Sequence, residues 1–250
     1  MSEFRFKKFS VKNERSAMKV NTDGVLLGAA AILGDSPVKV LDAGTGTGTI
    51  ALMVAQRLEE KNLLEGSSIL GIDIDELSAD EAEENFRQSP WSAFMECRHL
   101  PLSECEGTFD LIISNPPFFD GSLPNPDSRK KLSRHTFPKE SEGRKDSPLS
   151  FRSLVEYAQG HLSDNGTLVM ILPSENEPTL ERSAPAFGLR IERSLSVRTV
   201  PSKEPSRVIV HLKKNLPSGT VPKKETLTIQ DHGEYTPEYR SLVKDFYLWG

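Results

Sequence analysis

The chain has 250 residues, 36% hydrophobic and 27% charged, with a formal net charge of −5. It can bury a full core as one large domain, and its composition is that of a globular protein rather than a fibrous, disordered or membrane-spanning one. No apolar run approaches bilayer length and the N-terminus lacks a signal core, while two isolated cysteines, Cys97 and Cys105, argue against disulfides or structural zinc and for a cytoplasmic setting.

Near the N-terminus Phe4, Phe6 and Phe9 alternate with Arg5, Lys7 and Lys8, which predicts a short strand with one apolar and one basic face. A helix follows to about Leu33, and Thr22 or Asp23 can cap it. The same pair could instead close over a ligand, and the sequence leaves both readings open. Val38, Val40 and Leu41 begin a buried strand that ends at Asp42 and breaks into Gly44, Gly46 and Gly48. Ile50, Ala51, Leu52, Val54, Ala55 and Leu58 then recur at helical spacing. Residues 68–73 read as a second strand, 76–87 as a helix, 94–97 as a third strand and 108–114 as a fourth. The fourth is continuously apolar, as a strand covered on both faces should be. A helix near 150–162, a strand at 166–172 and a helix at 174–186 come next. Strands at about 190–199 and 206–213 are joined by a short proline-containing connection, which favours a hairpin and an antiparallel last strand at the sheet edge. Residues 213–224 read as a loop, and a helix from about 237 to 247 presents Tyr239, Leu242, Val243 and Phe246 on one face. The expected fold is α/β: a doubly wound, Rossmann-like sheet of seven mostly parallel strands with an antiparallel last strand. Residues 38–214 would form the core, with 1–37 and 215–250 as extensions of the same domain.

A strand, a glycine turn and a helix in succession form a nucleotide-binding corner. Glycines let the backbone turn sharply and approach a ligand, and the helix start offers unpaired N–H groups. Glycine spacing alone is weak evidence, and a tight turn without a ligand would use the same residues. A dinucleotide fingerprint would place glycine where Thr49 stands. A second carboxylate, Asp73, ends the second strand, where two oxygens can accept both hydrogens of a ribose diol. Asp75 is better placed to cap the following helix. Asp42–Gly48 resembles the first motif of class I S-adenosylmethionine-dependent methyltransferases, in which the loop wraps the methionine and ribose of the cofactor. The candidate cofactor contacts are Thr22, Asp23, Asp42, Gly44, Thr45, Gly46, Gly48, Asp73 and Ile74.

Asn115-Pro116-Pro117-Phe118 ends the fourth strand, where doubly wound folds place their active sites. Two prolines stiffen the turn and leave carbonyls free as acceptors. The Asn115 amide oxygen and the Pro116 carbonyl could together accept both hydrogens of one planar amino group, with Phe118 as a stacking face. An exocyclic adenine amine is a poor nucleophile because its lone pair is delocalised into the ring. Acceptors on its hydrogens favour a more tetrahedral nitrogen and negative potential where positive charge develops. An Asn-Pro turn without chemistry is the bland alternative.

This tetrad, downstream of Asp42–Gly48 and Asp73, resembles class I methyltransferases that modify a planar nitrogen of adenine or glutamine. Residues 4–9, 18–28 and 42–48, together with 84–91, 115–118 and 244–248, look like the bacterial tRNA1(Val) (adenine(37)-N6)-methyltransferase family. The likeness spans nearly the whole chain. It implies S-adenosylmethionine as cofactor and a target adenine beside a tRNA anticodon. One departure stands out: many relatives carry an acid after the third strand to meet the cofactor adenine, and Pro101 stands near that place here. Ser103 or a backbone group near Leu100 would have to substitute.

Residues 1–20 hold six Lys/Arg against two acids, 121–148 seven against four, and 198–224 seven against one. Basic appendages on an acidic body suggest a polyanion recognised locally. Arg5, Lys7, Lys8, Arg129, Lys130, Lys131, Arg134 and His135 are the candidate RNA contacts, with solvated loops as the alternative. His99, His161, His211 and His232 read as surface or loop histidines. No metal site is expected, and the chain would act as a monomer or weak oligomer. The competing readings are a protein-glutamine N5-methyltransferase, a DNA adenine methyltransferase, a nicotinamide-dependent oxidoreductase that leaves 115–118 unused, and a non-catalytic RNA-binding module.

Overall fold

The architecture of the computed structural model is described for residues 3–117 and 149–249; Phe118 and the candidate contacts at 129–135 lie outside them. Where one strand was expected at the N-terminus, β1 (Glu3–Arg5) and β2 (Ser10–Lys12) form an antiparallel hairpin. Phe6 donates its amide to the Phe9 carbonyl across the turn, and the two buried rings stack at 4.5 Å. Burial of the aromatic pair folds the segment back on itself. Helix α1 (Thr22–Ala30) is capped by neither Thr22 nor Asp23 but by Asn21, whose side-chain oxygen accepts the Gly24 amide at 2.9 Å.

The sheet-forming elements follow as β3 (Lys39–Ala43), α2 (Thr49–Glu60), β4 (Ser68–Asp73), α3 (Glu76–Gln88), β5 (Met95–His99) and β6 (Phe109–Ser114). From residue 149 on come α4 (Phe151–His161), β7 (Leu162–Pro173), α5 (Glu177–Ser183), β8 (Leu189–Arg198), β9 (Arg207–Lys214) and β10 (Lys223–Thr228). A small hairpin of β11 (Gln230–Asp231) and β12 (Glu234–Tyr235) precedes α6 (Pro237–Val243). Eight strands share one sheet in the order β10-β8-β9-β7-β6-β3-β4-β5.

Two features depart from expectation. The antiparallel strand β9 lies inside the sheet, paired to β7 on one side and β8 on the other, so it is not an edge. The edge is β10, an eighth strand parallel to β8 within a stretch expected to be partly loop. Its sequence, Lys-Lys-Glu-Thr-Leu-Thr, buries only Leu227, as suits an edge with one wet face. Glu225 ties it back by an ion pair with Arg193 of β8.

Alternation along the inner strands sends side chains to two cores. Val40, Val169 and Ile171 pack with α1, α2, the N-terminal hairpin and Tyr239, Val243 and Phe246 near the C-terminus. Leu41, Ala43, Leu168 and Met170 pack with α4 and α5 on the opposite face. His211 of β9 is not a surface residue: it is buried, its Nε2 accepts the Ile32 amide at 3.3 Å, and burial pushes its pKa down to about 4. No described helix is long and apolar enough to cross a membrane.

Candidate active site

β3 delivers the chain to the glycine loop, and the loop is clipped to β4 at once. Gly44 and Thr45 both donate their amides to the Ile72 carbonyl at 2.9 Å. Gly44, Gly46 and Gly48 have φ of 71°, 58° and 79°, a region that L side chains rarely adopt. At Gly48 space is also lacking: an added Cβ would lie 2.5 Å from a ring carbon of the buried Phe86. Gly48 opens α2 with no side-chain cap, so the start of that helix faces the loop.

Asp42 lies beneath the loop, wholly buried. Its Oδ2 accepts the Thr45 hydroxyl at 2.8 Å and the Ala51 amide at 3.2 Å, while Oδ1 has no partner among the described residues. Burial pushes its carboxyl up to about 7, opposed in part by those two donors. Asp42 and Thr45 therefore brace the loop from behind and do not line the cleft in front of it. Asp73, at the tip of β4, does line it. Its Oδ2 accepts the Gly46 amide and its Oδ1 the Asp75 amide, each at 2.9 Å, and burial holds its pKa above the usual carboxylate value. Each oxygen keeps a second lone pair for a ligand. Asp75 caps α3, accepting the Ser78 amide at 3.1 Å, as the sequence indicates.

The cleft encloses about 820 Å³ including its open mouth. Gly44, Gly46, Ile72, Asp73 and Ile74 form its floor, and Leu100, Pro101 and Leu102 form one wall. That wall is aliphatic where an acid was absent from the sequence, and the Leu100 amide is committed to the Asp73 carbonyl at 3.0 Å. Asn115, Pro117 and Leu149 stand on another side, and Ser16, Ala17 and Met18 run along it as a strap. Ser114, at the end of β6, donates its hydroxyl to the Ala43 carbonyl at 2.7 Å, which pins the Asn-Pro-Pro turn to the glycine loop. Asn115 is 6% exposed. Its Nδ2 points at the Met18 sulfur, 3.7 Å away, and its buried Oδ1 has no partner among the described residues.

The remaining candidates fall elsewhere. Thr22 and Asp23 line a different concavity beside Arg207, to which Asp23 is paired at 2.9 Å. Arg5 pairs with Glu3, and Lys7 donates to the Lys244 carbonyl at 2.7 Å. Lys8 pairs with Glu59 and Glu60 at the far end of α2, about 17 Å along the helix from the glycine loop. Lys7 and Lys8 thus tie the hairpin to the C-terminal segment and to α2, Arg5 pairs within its own strand, and none of the three lines the cleft. The sequence does not mark the strap at 16–18 as part of the cleft. Its only signal is indirect: Glu81 and Asn85 stand at positions of α3 that are 1% exposed, where apolar residues would be expected. Among the described residues no cluster of three or more His, Cys, Asp or Glu could hold a metal ion.

The chain is similar to known methyltransferases. The profile of the methyltransferase small domain matches residues 25–135. The fold is shared with a predicted O-methyltransferase from Agrobacterium tumefaciens, with a TM-score of 0.58 and 16% identity over 88% of this chain and 95% of that one. The matched profile together with the fold makes this chain a class I methyltransferase, with S-adenosylmethionine as its cofactor. Two curated relatives narrow the class. The tRNA1(Val) (adenine(37)-N6)-methyltransferase of Trichodesmium erythraeum is 38% identical, covering 99% of this chain and 98% of its own. That of Flavobacterium johnsoniae is 37% identical, covering 98% and 99%. The chain belongs to the tRNA1(Val) (adenine(37)-N6)-methyltransferase family.

Proposed function

We propose that this chain methylates the exocyclic N6 of an adenine in tRNA, at position 37 of tRNA1(Val), the substrate for which its relatives are named. The observation that carries the reading is Asn115, a residue of the cleft wall whose buried Oδ1 has no partner among the described residues. An unsatisfied buried carbonyl of this kind costs about 1–3 kcal/mol in the absence of a ligand. An incoming NH₂ group relieves that cost by donating to it.

The cleft fits S-adenosylmethionine. Asp73 would accept the ribose hydroxyls through its remaining lone pairs, and Gly44 and Gly46 would let the loop backbone lie against the methionine portion. Ile74 and the wall from Leu100 to Leu102 would sandwich the adenine, and Asp42, Thr45 and Gly48 would hold the loop in shape. Bound there, the cofactor supplies an electrophilic methyl on a sulfonium. Asn115 Oδ1 and the Pro116 carbonyl would grip the two hydrogens of the target amine and aim its lone pair at that methyl. The amine proton becomes acidic only after transfer, so it can leave to solvent without a strong base. Phe118 is proposed as the stacking face for the base, and Arg129, Lys130, Lys131, Arg134 and His135 as backbone contacts. No metal enters this mechanism. The setting is cytoplasmic, with the chain acting as one domain and as a monomer or weak oligomer.

A glutamine amide presents the same two hydrogens, so the substrate must be tested. The purified protein is incubated with labelled S-adenosylmethionine and total tRNA, and the digested nucleosides are identified. N6-methyladenosine is expected. Label confined to added protein glutamine, or no label in tRNA, would overturn the assignment.

A further inference from the structure

The Asn115 amide can serve only if its oxygen, and not its NH₂, faces the cleft. What fixes that choice is Met18, whose sulfur lies 3.7 Å from Nδ2 and can act as a weak acceptor. Met18 belongs to an irregular strap, and an irregular strap needs its own restraint. Glu81 provides it from α3. Its Oε1 accepts the Glu14 and Arg15 amides at 2.7 and 2.8 Å, and its Oε2 accepts the Ser16 amide at 2.8 Å. Three successive backbone donors on one carboxylate of 1% exposure form a charge-assisted clamp, far stronger than a surface ion pair. One turn further along the same face, Asn85 accepts the Lys12 amide at 2.8 Å and donates to the Thr47 carbonyl of the glycine loop at 2.9 Å. One helix face thus holds both the cofactor loop and the strap that sets Asn115.

We propose that Glu81 is a positioning residue for methyl transfer: by clamping residues 14–16 it seats Met18 against Asn115 and turns the amide oxygen toward the substrate amine. This rests on the role assigned to Asn115, and the test separates the two. Single-turnover methyl transfer to tRNA is measured at saturating cofactor, so that any loss of cofactor affinity does not enter the rate. The variants are Glu81→Gln, Met18→Leu and Asn115→Ala, with each of the first two also combined with Asn115→Ala. Glu81→Gln keeps the side chain's size but turns an NH₂ group on an amide donor. It should slow transfer by about tenfold to a hundredfold, the scale of a misplaced reacting group, and speed hydrogen exchange at the amides of 14–16. Met18→Leu keeps the volume but loses the sulfur acceptor, so it should slow transfer with exchange at 14–16 unchanged. That variant keeps the test decisive if Glu81→Gln is poorly folded. Because both act through Asn115, neither should slow the Asn115→Ala background further. Rates that multiply in the double variants, or parent rates for both single variants, overturn the proposal. A parent rate for Asn115→Ala overturns the underlying reading as well, and is recognised by that single variant alone.

Discussion

Asp73 offers the sharpest test of the cofactor site. Replacing it with alanine removes an acceptor proposed to take both ribose hydroxyls, and hydrogen bonds to a charged group are worth about 1.5–3 kcal/mol. The same carboxylate also takes the Gly46 and Asp75 amides, so part of the loss would fall on the loop and not on the ligand. Asp73→Asn separates these contributions. It keeps one oxygen for a backbone amide or a hydroxyl but offers an NH₂ where the second oxygen stood. Asp73→Ala should therefore weaken S-adenosylmethionine binding by roughly tenfold to a hundredfold, which nearly spans that range at about 1.4 kcal/mol per tenfold. Asp73→Asn should fall between it and the parent. Calorimetry reads the affinity, and thermal unfolding without ligand reads the loop contribution. Parent affinity for both variants would remove Asp73 from the cofactor site, and a loss seen only in unfolding would make it a purely structural brace.

Other outcomes follow from the surroundings of single residues. Asp42 has its folded pKa raised to about 7, well above the ordinary aspartate value of about 3.9, so between those values the folded chain binds more protons than the unfolded one. Stability should fall as pH rises through that window and level off above about 7, and Asp42→Asn should make the dependence shallower, leaving the part due to Asp73, also raised by burial; parallel melting curves for parent and variant from pH 4 to 8 would refute this. Gly48→Ala combines a φ of 79° with a Cβ 2.5 Å from the fixed ring of Phe86. Left-handed strain of about 1–2 kcal/mol and overpacking of about 1–3 kcal/mol should both appear in urea unfolding, and a loss below 1 kcal/mol would contradict the packing. Lys8→Glu sets like charges beside Glu59 and Glu60 and should lower stability by no more than about 1 kcal/mol, since the pair is exposed. Its tRNA affinity tests the RNA reading: a flattened salt slope keeps Lys8 among the RNA contacts, and a parent slope removes it.

What the sequence reveals here depends on how locally each feature is determined. The strand, glycine turn and helix at 38–60 are legible because β3 is covered on both faces and only glycine fits the loop's φ. The division of labour between Asp73 and Asp75 is legible because a cap must stand just ahead of its helix. The strap at 16–18 is not, because nothing periodic marks it and its restraint comes from Glu81, 65 residues away from Ser16 along the chain. β10 hides because an edge strand with one wet face reads as polar loop. Asp42 reads as a ligand contact by its place in the motif, and only the packing shows it wholly buried behind the loop. Lys7 and Lys8 read as a basic patch, but their partners, Lys244 and the end of α2, come from distant parts of the chain.

The most direct test of the central claim changes the substrate and leaves the protein intact. Two tRNA1(Val) molecules are prepared, one with adenine at position 37 and one with purine there, which lacks only the exocyclic amine. With the parent protein and labelled S-adenosylmethionine, the adenine form should take up one methyl group per molecule, and the purine form should stay at background while still competing for binding. Equal incorporation into both would show that the methyl goes to another atom, and that the amine-gripping role of Asn115 is wrong.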